Sequence, residues 1–251
     1  MIRVRALPSC ADNLQIGMNT ESPTTTVQPS VSTQLDPLRS VIFDYGGVLS
    51  YIPTDDDWQK LASTIGAPLS VVLEAYWKHR YPYEIGRFDS ATYWGLVGPD
   101  CGQHLTDSLV RELVTLDNEQ WGRPNPETIA LARQLRASGV PTALLSNIQP
   151  DMLSFVRLRH PWINEFEVRV FSCLVGEAKP EPKIFLYAAE CLNLRPQECL
   201  FVDDREANIE GARQTGMQTL HFESAKALSS LRQRLIEAGM KLKPAENGPN
   251  S

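Results

Sequence analysis

Three short apolar runs in this chain end in side chains that can do chemistry. Ser40-Val41-Ile42-Phe43 leads into Asp44 and then Gly46-Gly47, Thr142 to Leu145 leads into Ser146-Asn147, and Cys199 to Val202 leads into Asp203-Asp204. Between the last two runs stands Lys179-Pro180, inside Gly176-Glu177-Ala178-Lys179-Pro180-Glu181-Pro182. Taken singly, most of these have ordinary readings. Asp44 can cap the glycine turn, Ser146 can be a loop or cap residue, and Lys179 can be one more solvated lysine. Asp203-Asp204 resists that treatment. Two adjacent acids at the end of a buried strand repel each other unless a cation sits nearby. Asn208 follows closely and can bond either the loop backbone or the acids.

The elements that must position these residues follow from pattern. The three runs are short, apolar and rich in β-branched residues, which is how a strand buried on both faces reads. Val168 to Ser172 and Gln218 to Phe222 are weaker runs of the same kind. Helical spacing lies between them. Asn125 and Pro126 open one helix, with Ile129, Leu131, Ala132 and Leu135 as its stripe and Gly139 as its end. Others run from Pro182 to Leu192, Asn208 to Gly216 and Ala225 to Gly239. Strands alternating with helices predict an α/β fold with a Rossmann-like parallel sheet. Ligands bind such sheets beyond the carboxyl ends of the strands, where Asp44, Ser146-Asn147 and Asp203-Asp204 all stand.

Residues 51–124 break the alternation. Trp58, Leu61 and Ile65, then Val71, Val72, Leu73, Tyr76 and Trp77, then Leu109, Val110 and Leu113 show helical spacing without strand-like runs. This stretch is expected to be an inserted α-helical cap over a core made of 38–50 and 125–240. Residues 1–37 are rich in Ser, Thr, Pro and Gln and are expected to form a disordered tail. Met18 is a candidate alternative start. Residues 241–251 read as a frayed end.

Composition narrows the function classes. With 42% hydrophobic and 22% charged residues, the 251-residue chain can build an ordinary globular core. A net charge of -6 argues against a broad nucleic-acid surface. No apolar run reaches the roughly 18 residues a membrane span needs. The five cysteines, Cys10, Cys101, Cys173, Cys191 and Cys199, include no CxxC pair. Neither a zinc cluster nor a disulfide framework is expected, and idle thiols suit a reducing, cytoplasmic location.

The run Phe43-Asp44-Tyr45-Gly46-Gly47-Val48-Leu49 resembles the first motif of the haloacid dehalogenase superfamily. Ser146-Asn147, Lys179-Pro180 and Asp203-Asp204 resemble its second, third and fourth motifs, in order, over about residues 40–223. The resemblance implies a phosphohydrolase with Asp44 as nucleophile, attacking phosphorus to give an aspartyl-phosphate. Mg²⁺ would be held by Asp44, the Gly46 carbonyl and Asp204, with Asp203 in or near the shell. Ser146, Asn147 and the Gly46-Gly47 amides would hold phosphate oxygens, and Lys179 would neutralise charge.

One position departs from the family pattern. Most phosphatase members carry a second Asp two residues after the nucleophile, where this chain has Gly46. Such an acid protonates the leaving group, help typically worth about 10² to 10⁴ in rate. Metal-independent 2-haloacid dehalogenases also lack it, but their fourth motif tends to Ser rather than paired acids. A fold that has lost turnover and serves as a binding or regulatory module is the other alternative. In the cap, Trp77-Lys78-His79-Arg80-Tyr81-Pro82-Tyr83-Glu84-Ile85-Gly86-Arg87 resembles the helical-cap subgroup. Arg80, Arg87 and His79 are candidates to grip the substrate, and His79 also to replace the missing acid. Tyr76, Trp77 and Tyr83 are expected to pack between cap helices. The expected partner is a small phosphorylated metabolite, a sugar phosphate by family analogy. The sequence shows no oligomeric state.

Overall fold

A computed structural model of the chain describes residues 37–223, 225–240 and 242. The expected terminal tails, apart from Pro37 and Leu242, lie outside the described residues, as do Met18 and Cys10.

β1 (Ser40–Phe43), β2 (Thr142–Ser146), β3 (Val168–Phe171), β4 (Cys199–Asp203) and β5 (Gln218–His221) form one sheet in the order β3-β2-β1-β4-β5. Every pairing is parallel. The central strands are buried along their whole length, which explains their unbroken apolar runs. Alternate residues feed opposite faces. Val41, Phe43, Leu144, Leu200 and Val202 pack on one side, against α6 (Pro126–Ala137), α7 (Pro150–Arg159) and α11 (Ala225–Glu237). Ile42, Ala143, Leu145 and Phe201 pack on the other, against α9 (Pro182–Cys191) and α10 (Glu206–Gln214). Each fully buried Leu, Ile or Phe in these layers contributes about 1.5–3 kcal/mol.

Register fixes the chemistry at one edge. Phe43 pairs with Leu144 on one side and Val202 on the other. The residues that follow therefore emerge together at the carboxyl ends of β1, β2 and β4.

Between β1 and β2 lie α1 (Asp55–Ile65), α2 (Leu69–Lys78), α3 (Arg80–Glu84), α4 (Ser90–Asp100) and α5 (Asp107–Trp121). They share their own hydrophobic cluster, centred on Leu61, Tyr76, Tyr93, Trp94 and Leu113, with no residue from the sheet. Thr54 starts α1 through a capping box with Asp57, and Gly66 ends it in the left-handed conformation. The insert is tied to the core by polar contacts. Tyr83 donates to Asp151 at 2.7 Å, and the Ser172 hydroxyl donates to the Glu84 carbonyl at 2.6 Å.

Three local expectations need correction. Asn125 stands at the N-cap of α6, but its side chain makes no cap bond and donates instead to the Val48 carbonyl at 3.2 Å. It holds the loop after β1. α7 follows β2 where no helix was read. Among the described cysteines, Cys101, Cys173 and Cys199 are free, whereas Cys191 is disulfide-bonded. No helix among the described residues is long and apolar enough to cross a membrane.

Candidate active site

Asp44, Ser146, Lys179 and Asp204 line one cavity of about 440 Å³ between the sheet edge and the helical insert. Asp44 is 7% exposed and follows β1 directly, its backbone N–H donating to the Val202 carbonyl. Two protein contacts fall on the same oxygen. Lys179 Nζ lies 2.7 Å from Asp44 Oδ1, and the Tyr45 N–H donates to that oxygen at 2.6 Å.

Lys179 reaches the edge from the loop after α8 (Ser172–Val175). Asn147 places it there: Asn147 Nδ2 donates to the Lys179 carbonyl at 2.9 Å, and the Lys179 N–H donates to Asn147 Oδ1 at 2.8 Å. Both ends of the Asn147 amide are thus engaged on backbone. The side chain expected at the phosphate positions the lysine. Lys179 Nζ also donates to the Leu145 carbonyl at 3.1 Å and to Asp203 Oδ2 at 2.7 Å.

The paired acids divide. Asp203 is fully buried, and both of its oxygens have donors. Oδ1 accepts from the Arg205 N–H and Asn208 Nδ2, and Oδ2 accepts from Asn208 Nδ2 and Lys179. Asn208 therefore bonds the acids, one of its two expected options. Asp203 lies close enough to the other two acids to share an ion with them, yet its oxygens already accept four hydrogen bonds from three donor atoms. Asp204 lies nearer the cavity, backed by Gly47. Gly47 has φ +74°, and a Cβ there would collide with the Asp204 carboxyl. Only glycine gives the turn both its left-handed backbone and that close approach.

The electrostatics follow from the crowding of three carboxylates around one ammonium. Burial, reinforced by Asp203 and Asp204, outweighs Lys179 and raises Asp44 well above the usual carboxylate range. Burial and the Asp203 charge push Asp204 up to about 6. Asp203 stays low because Lys179 and its other donors overcome burial. Lys179 rises, burial being offset by Asp203 and Asp44. One oxygen from each of the three acids lies within 4.8 Å of the others. The cluster holds more negative charge than Lys179 balances, and its donors are oxygens. That set fits a small hard dication such as Mg²⁺.

The insert residues behave differently from expectation. Arg80 lines the cavity but is only 6% exposed. Its guanidinium donates to Glu84 at 3.1 Å, Asp117 at 2.9 Å and Gln149 at 2.9 Å, and sits 4.7 Å from the Tyr76 ring centroid. It knits the insert to the β2 loop. His79 is not brought to the cavity. Its Nε2 lies 2.7 Å from Asp100, which also accepts from Lys78. Adjacent helix-boundary residues face apart, so His79 turns to an outer acid. Arg87 is exposed and does not line the cavity. Tyr76 and Tyr83 pack inside, as expected, but Trp77 is 43% exposed and lines the cavity.

Sequence reasoning missed Gln149 and Trp121. Gln149 is 1% exposed, accepting from Arg80 and donating to Asp117. Its place just beyond Ser146-Asn147 was the available signal. Trp121 closes the insert beside Gly46, and a Cβ on Gly46 would meet its ring at 3.4 Å.

A parallel five-stranded sheet bearing an Asp–Lys–Asp cluster at its carboxyl edge, beneath a helical insert, defines a hydrolase class. A family model described as haloacid dehalogenase-like hydrolase matches residues 38–216, and the chain belongs to that family. The chain is 36% identical over 107 residues to acyl-CoA dehydrogenase family member 10 of Mus musculus, covering 42% of this chain and only 10% of that one. It is 26% identical to sesquiterpene phosphatase astK of Aspergillus oryzae, over 75% of this chain and 92% of that one. It is also 26% identical to (S)-2-haloacid dehalogenase 1 of a Pseudomonas strain, over 75% and 86% of the two chains. Among solved structures, a magnesium complex of the HAD family enzyme bt-2542 from Bacteroides thetaiotaomicron superposes with a TM-score of 0.65. It is 22% identical and covers 79% of this chain and all of that one.

Proposed function

We propose that this hydrolase cleaves phosphate monoesters through an aspartyl-phosphate on Asp44, with Mg²⁺ bound. The observation that carries the reading is the asymmetry of Asp44. Oδ1 is held by Lys179 and the Tyr45 N–H, so the carboxylate is oriented while Oδ2 serves as the attacking atom. In the first step a bond forms from Oδ2 to phosphorus and the bond to the leaving oxygen breaks. Water then attacks the acyl phosphate and restores Asp44. Lys179 offsets the charge that builds on the carboxylate and the phosphoryl oxygens, with Ser146 and the Gly46-Gly47 amides as donors. Asp44, Asp204 and the Gly46 carbonyl would hold the ion, and Asp203 would keep Lys179 and Asn208 in place. When bound, Mg²⁺ supplies positive charge to the phosphoryl oxygens.

Gly46 cannot protonate a leaving group. Leaving groups that depart as stable anions are therefore favoured. The helical insert acts as the cap in this reading, limiting water at the site, and the chain works on a small phosphorylated metabolite.

The test is hydrolysis of an aryl phosphate with and without Mg²⁺, comparing the wild-type chain with Asp44→Asn. We expect metal-dependent turnover that falls by at least about 10³-fold in the variant. Folded, Mg²⁺-supplied protein with no turnover would sink the phosphatase reading. Gly46 gives one competitor a foothold, and halide release from 2-haloacids without Mg²⁺ would establish it instead.

A further inference from the structure

We infer that the alcohol half of the substrate is apolar, a monophosphate of an aryl alcohol, which leaves as a stable anion, rather than of a sugar. The inference rests on the phosphate-monoester reading and concerns what lies beyond the phosphate.

The apolar lining of the cavity includes Ile52, Pro53, Trp58, Leu73, Trp77 and Trp121. The three indoles stand 6.3–6.4 Å apart by ring centroid. Trp121 donates its indole N–H to the buried Tyr76 hydroxyl at 3.1 Å, so its polar atom is directed into the insert. Its benzo edge lies against Gly46, close to the nucleophile. Two members of this wall are unusually open to water, Ile52 at 55% and Trp77 at 43%. Exposed apolar groups around a concave site are what an apolar ligand covers.

Several polar side chains of the same cavity are already engaged within the protein. Arg80 is bound by Glu84, Asp117 and Gln149. Gln149 uses its amide nitrogen on Asp117, Asn147 is engaged on Lys179, and Asn208 on Asp203. Arg205 lies over the Trp77 ring at 5.8 Å. A sugar would set several hydroxyls against indole and aliphatic carbon with few free partners, and each unpaired hydroxyl loses its water for nothing in return. A hydrocarbon loses nothing there.

The experiment measures binding apart from turnover. Asp44→Asn protein is titrated with butyl, hexyl and octyl phosphate, with ribose 5-phosphate and with inorganic phosphate, and tryptophan fluorescence is followed. We expect affinity to rise about three- to fourfold per methylene and octyl phosphate to bind at least 100-fold tighter than ribose 5-phosphate. Trp77→Ala or Ile52→Ser, both at exposed positions, should flatten the chain-length dependence. Equal binding across the alkyl series, or tighter binding of ribose 5-phosphate, would overturn the inference. Phosphate release by the wild-type chain is measured in parallel. A steep alkyl series without hydrolysis of any phosphate removes the phosphohydrolase reading while leaving the apolar subsite intact.

Discussion

Two buried cations in this molecule are each bridged by two carboxylates, and they do different work. Lys179 joins Asp44 to Asp203 at the sheet edge, and Arg80 joins Glu84 to Asp117 in the helical insert. The insert cluster is closed. Asp117 accepts from the Tyr76 hydroxyl, Gln120 and Gln149 besides Arg80, so its charge is satisfied on every side. The sheet-edge cluster is open. A third acid, Asp204, adds charge that Lys179 does not balance, and burial raises both Asp44 and Asp204. A saturated ionic cluster fixes geometry. An unbalanced one beside a cavity is a device for attracting charge.

The difference can be broken by removing each cation. Lys179→Met and Arg80→Met should each cost about 3–5 kcal/mol, because both leave buried carboxylates uncompensated. The response to Mg²⁺ should separate them in chemical denaturation. In Lys179→Met the ion should stabilise more than in wild type and narrow the gap. In Arg80→Met it should add the wild-type increment and leave the gap unchanged. Equal Mg²⁺ increments in both variants would erase the distinction drawn here.

A second effect, up to about 3 kcal/mol, is sharper in pH. Asp204 has a folded-state pKa of about 6 against an unfolded value of 3.8. The folded chain then holds the proton more tightly, so this group favours folding at low pH and opposes it as pH rises from about 4 through 6. In EDTA, Asp204→Asn should match wild type near pH 4 and exceed it in stability at pH 7. Saturating Mg²⁺ should reverse the order at pH 7. A pH-independent difference between the two proteins would show that Asp204 carries no such strain.

The smallest effect tests whether the insert is stabilised on its own terms. Thr54→Ala removes the capping box of α1 and should lower stability by about 1 kcal/mol. Thermal unfolding with and without Mg²⁺ should show the same loss, since Thr54 bonds Asp57 in the first turn of α1 rather than the three acids. A loss that disappears with the ion would couple the insert to the site more tightly than the two clusters suggest.

Much of this comparison was legible in the residues. The three central strands were readable because a strand buried on both faces leaves an uninterrupted apolar run, the edge strands β3 and β5 gave weaker signals, and parallel register then brings Asp44, Ser146 and Asp203 to one edge. The division of labour between Asp203 and Asp204 was not readable, since it depends on which oxygens Asn208 and Arg205 reach. α7 escaped despite Pro150 and Asp151 in its first turn, as its apolar residues form a weak stripe. The insert was hardest. His79 and Arg80 are neighbours in sequence, yet one meets Asp100 and the other Gln149. Only the docking of the helices decides that, and the same docking opened Trp77 to the cavity.

The contact between Gly46 and Trp121 constrains how this chain can change. Gly46 has no left-handed backbone, unlike Gly47, and a Cβ there meets the indole at an ordinary 3.4 Å. An alanine fits. A longer acidic side chain has to pass the indole, so Gly46→Asp by itself would set a carboxylate against an apolar ring. Installing a proton donor then takes two coordinated substitutions, the second making room at Trp121. Such a pair forms a ratchet, since neither substitution alone sets a proton donor in open space beside Asp44.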